Sequence, residues 1–298
     1  MTYRLIIISI ALGSLFASEK TFTRDVTYHA SEYDTQESAR IITLVQVRSQ
    51  LLKETVAFVK AMVNGQMEKR LDQATIAAVT EIKILDEKWS NKQYQMKTEI
   101  NIEPYDIQQK IDVINTNREK LQTLMYINKR SDNSKAEIER LKDEIAQSPS
   151  VTGQSHLVRS YHKEINMLGA ANWFYIGFYA LLNNDWDSAL SSFSKCIELD
   201  PKNIVSYLNR GAAQMGNGNY PLAIQSFEKV VRLDSYNAYA YKNLGTIYMG
   251  QGKNAKAIHA FSKAIEIVPG DVIVYINLGQ IYKRQKKYLK AIREYQKA

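Results

Sequence analysis

Apolar residues recur at steps of three and four along residues 36–90, with charged residues between them. This spacing puts the apolar side chains on one side of a helix and predicts a long amphipathic helix that begins near Gln36. A helix with a single apolar stripe needs a partner, because burial of that stripe provides most of its stability. The stripe comprises Ile42, Val45, Leu52, Val56, Val59, Val63, Met67, Leu71, Ala74, Ala78, Ile82, Leu85 and Trp89.

Pro104 interrupts this pattern and forces a break or a new helix. A second apolar stripe follows it, and Ser134 with Glu137 forms a capping-box pattern that predicts the start of a third helix. Two arrangements of residues 36–147 would bury the stripes. One is an antiparallel helical hairpin around Pro104, and the other is a coiled coil of the long helix with copies of itself, which would make an oligomer. The mean apolar spacing lies closer to ~3.6 than to ~3.5 residues, which favours the hairpin.

Three short segments flank these helices. Residues 19–35 are polar without a helical stripe and predict a flexible leader. Residues 148–154 contain Pro149 and Gly153 and predict a linker. Residues 155–169 carry apolar residues at helical spacing and predict a helix that leads into the next region.

A fixed period of 34 residues dominates residues 170–298. Counted from Ala170, Ile204, Ala238 and Val272, three repeats are complete and the fourth is incomplete. Each repeat keeps a glycine, an alanine and an aromatic residue: Gly177, Gly211, Gly245 and Gly279; Ala189, Ala223, Ala257 and Ala291; Phe193, Phe227, Phe261 and Tyr295. The small residues let two helices approach closely, and the aromatic side chains fill the space beside that contact.

This period and these residues resemble the tetratricopeptide repeat (TPR), in which helix–turn–helix pairs stack into a solenoid. The resemblance implies a TPR α-solenoid over residues 170–298. With the helices predicted upstream, the fold class is all-α: an N-terminal helical hairpin or coiled coil followed by the solenoid. The resemblance also implies a surface that holds a partner rather than a catalytic pocket.

The first residues resemble an export signal. Arg4 precedes an apolar run at residues 5–16. This run is shorter than the roughly 20 apolar residues of a membrane span and matches a secretory signal peptide over residues 1–18. We expect cleavage near Ser18 and a periplasmic protein, whereas an uncleaved segment would associate the chain with the membrane. We expect no membrane span further along the chain.

The charge distribution separates the two halves of the chain. The net charge of +8 comes from 39 basic and 31 acidic residues. Residues 151–298 hold 18 basic and 10 acidic residues, which leaves 21 of each sign in residues 1–150. The basic excess therefore belongs to the repeats.

The sequence has no arrangement typical of an enzyme or cofactor site. The single cysteine, Cys196, excludes an intramolecular disulfide and a multi-cysteine metal site, and it occupies a small-residue packing position. Phosphate-binding loops and nucleophile elbows are absent. The histidines share no metal-ligand spacing: His29, His156, His162 and His259. We therefore predict no catalytic residue, no metal site and no cofactor.

The TPR resemblance implies that the first helix of each repeat lines a concave groove. Asn209, Asn243 and Asn277 keep the 34-residue step on that side. Amide groups both donate and accept hydrogen bonds, which suits the main chain of an extended peptide, although asparagines that face only water are the alternative. Three aromatic residues of the first repeat are expected to make an apolar end of the groove: Phe174, Tyr175 and Phe178.

The last helical pair is strongly basic. Its cations are Lys283, Arg284, Lys286, Lys287, Lys290 and Arg293. They predict either a solvated face or a patch for an anionic partner, such as a membrane surface or an acidic envelope polymer. Nucleic acid is disfavoured as a partner because of the export signal.

These features together predict an exported scaffold or adaptor that binds an extended peptide or a partner protein in the TPR groove during cell-envelope assembly. The layout is similar to that of periplasmic envelope proteins that join a helical stalk to C-terminal TPRs. The alternative is the targeting half of a larger enzyme whose catalytic domain lies beyond residue 298.

Overall fold

The computed structural model describes residues 19–62, 73–148 and 151–298. The export signal of residues 1–18, and the part of the long stripe from Val63 to Leu71, lie outside the described residues. The described part contains three strands and twelve helices. In chain order these are β1 (Lys20–His29), α1 (Gln36–Met62), α2 (Gln73–Val79), β2 (Ile82–Ser90), β3 (Gln93–Ile102), α3 (Pro104–Asn115), α4 (Arg118–Gln147), α5 (Val151–Leu182), α6 (Trp186–Leu199), α7 (Ile204–Gly216), α8 (Tyr220–Leu233), α9 (Ala238–Gly250), α10 (Asn254–Ile267), α11 (Val272–Arg284) and α12 (Tyr288–Lys297).

The chain divides into two compact units. The N-terminal unit comprises Met1–Asn183 with Glu198–Asp200, and the repeat unit comprises Asn184–Ile197 with Pro201–Ala298. The division falls at the end of α5 rather than at the expected linker, because α5 is one helix that begins at Val151. The predicted lead-in helix and the first helix of the first repeat are both parts of α5.

A three-stranded antiparallel sheet is the main feature of the N-terminal unit that the apolar pattern did not reveal. Its strand order is β1-β3-β2, so β3 is central. Phe22 of β1 lies opposite Ile100 of β3. Asn91 and Lys92 join β2 to β3 with φ values of 50° and 54°, as a two-residue hairpin turn requires. The buried residues of β3 alternate along the strand: Tyr94, Met96, Thr98, Ile100 and Ile102.

The prediction that the long helix continues to Trp89 is wrong, and the helical hairpin around Pro104 is not confirmed. Residues 82–90 place apolar side chains at helical steps but form β2, because cross-strand pairing with β3 outweighs that local spacing. A register shift between Ile84 and Asp86 also interrupts the alternation of a regular strand. Pro104 begins α3 as a first-turn proline, in agreement with the predicted new start.

The polar leader expected at residues 19–35 is instead largely the edge strand β1. It pairs with β3 along its whole length, from Lys20 opposite Ile102 to His29 opposite Gln93. Its threonine and valine side chains suit a strand, but their partners lie more than 60 residues away along the chain, so local sequence gives little sign of the pairing.

Helix α4 runs without interruption through the polar segment in which a third helix was expected to start at Ser134. The side chain of Ser134 is buried, and its Oγ donates to Glu164 Oε2 of α5 at 2.8 Å. Lys135 pairs with Asp132 at 3.0 Å. These polar groups have partners on α5 and on α4 itself, so the helix continues through the segment without a break.

The repeat unit confirms the TPR solenoid. Helices α7, α9 and α11 begin at Ile204, Ala238 and Val272, the residues at which the repeats were predicted to start. The positions that keep the period pack together: a Cβ added at Gly211 would lie 2.7 Å from the ring of Phe227, and one at Gly245 would lie 2.6 Å from Phe261. The repeated alanines Ala189, Ala223, Ala257 and Ala291 are buried.

Helix α5 contains a segment, Gln154–Leu182, that is long and apolar enough to cross a membrane. The most apolar part of this segment is 61% buried inside the protein, as in the core helix of a soluble protein. The expectation that no further segment passes such a test was therefore wrong, and burial explains the apolar composition of α5.

Candidate peptide-binding face and basic patch

The first helices of the second, third and fourth repeats, α7, α9 and α11, start in the same register because each has an equivalent N-cap. Asn203 Oδ1 accepts a hydrogen bond from Ser206 N at 3.1 Å, and Asn237 Oδ1 accepts one from Ala240 N at 3.1 Å. Asp271 caps α11 in the same way. Side chains at this position satisfy backbone N–H groups that no helical carbonyl reaches. Sequence reasoning missed these caps, although the Asn/Asp at every 34th position was a readable signal.

Two of the three asparagines that keep the 34-residue step, Asn209 and Asn243, adopt the same conformation. Asn209 Nδ2 donates to Val205 O at 2.7 Å, and Asn243 Nδ2 donates to Tyr239 O at 2.9 Å. Both residues and Asn277 are half-buried. Each of the two bonded amides retains a second N–H and the Oδ1 acceptor, which form no other hydrogen bond within the described residues. These side chains can therefore still bond to a partner.

The exposed apolar side chains on this face belong to α11. Ile273 and Ile276 are 59% and 37% exposed and lie within one helical turn of Asn277. Lys242 of α9 pairs with Asp271 at 3.1 Å and ties two successive repeats together. The face formed by α7, α9 and α11 thus combines half-buried amides with an apolar area on α11.

The aromatic residues expected at the apolar end of the groove are core residues instead. Phe174 and Phe178 are completely buried, with their ring centroids 5.9 Å apart. Tyr175 is 6% exposed, and the guanidinium of Arg48 lies 4.8 Å from the centre of its ring. The physical reason is that α5 contacts α1, α2 and α4 within the N-terminal unit. These three side chains are unavailable to a peptide.

The basic patch is exposed as predicted. Lys283 and Arg284 end α11, Lys286 and Lys287 form the following turn, and Lys290 and Arg293 lie on α12. Within the described residues none of these six cations forms an ion pair, although Lys290 lies 5.7 Å from the ring centre of Tyr282. Exposed cations without acidic partners give the patch a strong positive potential.

The residues that the structure describes contain no group of His, Cys, Asp and Glu able to hold a metal ion. Cys196 is buried, and its Sγ lies 2.8 Å from Ser206 Oγ. The thiol is a packing group of the repeat unit.

Comparison with known families and structures identifies the repeats. Two family models of the tetratricopeptide repeat match, one over residues 238–271 and the other over residues 192–225 and 260–293. A search of curated proteins finds no match to the chain.

Similar solved structures include MamA from Desulfovibrio magneticus RS-1, which is 23% identical with a TM-score of 0.42 over 56% of this chain and 93% of that chain. PilF of Pseudomonas aeruginosa is 16% identical with a TM-score of 0.43 over 56% of this chain and 76% of that chain. The first TPR of Spaghetti (RPAP3), solved with a bound HSP90 peptide, is 20% identical with a TM-score of 0.39 over 40% of this chain and 94% of that chain. The matching family models and the 34-residue succession of helix pairs together show that this chain is a tetratricopeptide-repeat protein.

Proposed function

We propose that the protein is an exported, non-catalytic scaffold whose repeat unit binds an extended peptide segment of a partner protein. The observation that carries this proposal is the pair Asn209 and Asn243. Each is fixed by a bond to the carbonyl four residues earlier and retains hydrogen-bonding capacity on the first-helix face. Ordered amides that repeat along a face suit a peptide main chain, which offers donors and acceptors at regular intervals.

The chemistry of the face specifies the kind of peptide. An apolar side chain of the peptide would lie beside Ile273 and Ile276, where solvent-exposed apolar surface is available. Lys283 follows on the same helix and favours an acidic residue at that end. We therefore expect an extended segment with an apolar residue next to an acidic one.

A peptide library selected against the full chain tests the proposal. The double variant Asn209→Ala with Asn243→Ala should weaken a selected peptide by about 30-fold and each single variant by about 5-fold, since each neutral hydrogen bond contributes about 1 kcal/mol. Asn254→Ala, on the second helix of its repeat, is the matched control and should leave affinity unchanged. Wild-type affinity in the double variant would overturn the proposal.

The export part of the proposal rests on residues 1–18 of the sequence. Expression in a Gram-negative host followed by N-terminal sequencing should give a mature chain that begins near Ser18 or Glu19, and cell fractionation should place it in the periplasm. An intact Met1 on a protein that salt does not release from membranes would contradict cleavage. A role in cell-envelope assembly would follow from a periplasmic partner.

The six unpaired cations of the basic patch favour a second role, attachment to an anionic surface. Each cation near an anionic membrane contributes about 1 kcal/mol, and salt screens the attraction. Vesicles that contain phosphatidylglycerol should bind the full chain at low salt and release the variant with Lys287, Lys290 and Arg293 changed to Gln. Replacement of Lys195, Arg232 and Lys256 by Gln removes the same charge elsewhere and should have a much smaller effect. Equal losses of vesicle binding in the two triple variants would indicate attraction by net charge alone and would contradict a specific role of the basic patch.

A further inference from the structure

The N-terminal unit contains a small cavity lined by cations and neutral hydrogen-bonding groups. It has a volume of about 50 Å³ and lies among α1, α2, α4 and α5. The polar residues that line it are Arg48, Ser49, Asn128, Ser131, Lys135 and Asn172. No carboxylate is among the described residues that line it.

Arg48 is the unusual residue of this cavity. Its side chain is 7% exposed, and its guanidinium donates to Asn172 Oδ1 at 2.5 Å and to Ala77 O at 2.8 Å. The Nε–H is buried and has no hydrogen-bond partner within the part of the chain that the structure describes. Burial lowers the pKa of Arg48 to about 10, so the group remains charged at neutral pH.

A buried charge without a counter-ion is costly unless something compensates it. The groups that contact Arg48 are an amide oxygen, a backbone carbonyl near the end of α2 and the ring of Tyr175. These dipoles and the ring supply partial negative charge but no net charge. An oxyanion in the cavity would supply the missing charge and an acceptor for Nε–H.

A larger groove of about 380 Å³ adjoins the cavity. Val45, Ser49, Lys135 and Leu168 line both spaces. Most of the accessible wall area of the groove is apolar, with Ile42, Val45, Ile138 and Leu168 among its residues, and Gln46 and Gln50 add neutral polar groups. Lys53, Lys142 and Glu139 also line it, and Lys142 pairs with Glu139 at 3.1 Å.

We propose that the cavity binds the carboxylate or phosphate group of a small amphipathic anion, whose hydrocarbon chain lies in the adjoining groove. Arg48 would neutralise the head group from within the protein, and Lys135 would do so from the mouth of the cavity. Lys135 already pairs with Asp132 at the surface, so its contribution is smaller than that of Arg48. The site is separate from the TPR face, since every residue that lines it belongs to the N-terminal unit.

Isothermal titration of the full chain tests this proposal with four probes: octanoate, octyl phosphate, octanol and inorganic phosphate. At least one of the two octyl anions should bind, at least about tenfold more tightly than octanol, because the neutral alcohol leaves Arg48 uncompensated. The same anion should raise the unfolding temperature. Octanoate and octyl phosphate together determine which head group the cavity prefers.

Variants separate a ligand site from a purely structural arginine. Ser49→Leu should fill the mouth of the cavity and abolish binding while the hydrogen bonds of Arg48 remain, and Lys135→Gln should weaken binding several-fold. Arg48→Gln should also abolish binding. If Arg48→Gln does not fold, Ser49→Leu still tests the site. Arg210→Gln is the matched control, because Arg210 is a half-buried arginine whose guanidinium carbon lies 5.2 Å from the ring centre of Tyr207 in the repeat unit.

Failure of both octyl anions to bind the wild-type protein would overturn the proposal. Wild-type affinity in Ser49→Leu would do the same, because the anion would then lie elsewhere. Inorganic phosphate that binds as tightly as octyl phosphate would overturn the assignment of the groove to a hydrocarbon chain. If Arg210→Gln weakens binding as much as Lys135→Gln does, the loss depends only on the net charge of the protein, and the proposed site is rejected.

Discussion

The two units of this protein are assembled from contacts at different distances along the chain. In the repeat unit, Gly211 packs on Phe227 and Gly245 packs on Phe261, 16 residues apart in each case. In the N-terminal unit, Phe22 lies opposite Ile100 on neighbouring strands. Packing between residues close in sequence appears as a periodic pattern of residue types. Pairing between distant strands appears only as a local strand propensity, and the same residues can also fit the spacing of a helix. The comparison explains why one unit was predictable and the other was not.

The units also differ in what their buried and half-buried polar groups do. In the repeat unit, Asn203 and Asn237 cap helices and recur with the period. In the N-terminal unit, Asp34 accepts hydrogen bonds from the hydroxyls of Tyr28 and Tyr161, at 2.9 and 2.8 Å, and thus links β1 to α5. Such a network occurs once and specifies a tertiary arrangement rather than a local turn.

The largest expected effect comes from the aromatic residue of the repeat. Phe261 is completely buried against Gly245, so Phe261→Ala should lower the free energy of unfolding of the repeat unit by about 3–5 kcal/mol. Tyr295 occupies the same repeat position but is 39% exposed, so Tyr295→Ala should cost much less. Urea unfolding measures both losses, with hydrogen exchange followed in α9 and α10 for Phe261→Ala and in α11 and α12 for Tyr295→Ala. Equal losses of unfolding free energy would show that the burial of this aromatic side chain does not determine how much it stabilises its repeat.

In the N-terminal unit, Asp34→Asn should cost about 2 kcal/mol, because the carboxylate accepts bonds from Tyr28, Tyr161 and the backbone N–H of Ser31. Burial tends to raise the pKa of Asp34, but these hydrogen bonds outweigh it and hold the pKa below its usual range. The folded state thus gains stability from the ionised group above the unfolded pKa of about 4, and loses it as the pH falls through the folded pKa.

Unfolding measured from about pH 7 to about pH 2 should therefore show a smaller difference between wild type and Asp34→Asn at the acid end. Glu139→Gln is the control, since that carboxylate is exposed and pairs with Lys142 on the surface of α4. A constant difference across the pH range would show that Asp34 acts only through packing.

A smaller effect separates close packing from helix propensity in α9. Gly245→Ala adds a Cβ that would lie 2.6 Å from the ring of Phe261, whereas Gly250→Ala adds one with no heavy atom within 4 Å. Alanine gains up to about 1 kcal/mol in helix propensity, and overpacking costs about 1–3 kcal/mol. We expect Gly245→Ala to lose about 1 kcal/mol and Gly250→Ala to be neutral or stabilising, by thermal unfolding. The opposite order would refute the close contact.

The smallest effect has the opposite sign. Lys286 has a φ of 59° at the repeat position where Gly218 and Gly252 have φ values of 72° and 70°. A non-glycine residue there costs about 1 kcal/mol, so Lys286→Gly should stabilise the repeat unit by that amount. Gly252→Lys should destabilise it by a similar amount, and the two melting temperatures measure this pair. A destabilised Lys286→Gly would mean that the lysine side chain makes a stabilising contact.

Sequence alone predicted where the first helices of the second, third and fourth repeats begin. The starts of α7, α9 and α11 and the small-residue contacts followed from the 34-residue period, because each repeat meets the same neighbours and repeats the same side chains. The basic patch followed from the run of cations in the last helical pair. The period also placed Asn209, Asn243 and Asn277 at equivalent positions, and their half-buried state agrees with that placement.

Only the tertiary structure decided the rest. Phe174 and Phe178 were expected in the groove, but the packing of α5 against α1, α2 and α4 buries them, and a repeat pattern carries no information on contacts made outside the repeats. The sheet depends on the pairing of β3 with β2, which is adjacent in sequence, and with β1, which lies more than 60 residues away, and β2 carries an apolar spacing that also suits a helix. Arg48 lies within a stretch of ordinary helical sequence. Its burial beside a cavity arises from three other helices, so no local pattern could reveal it.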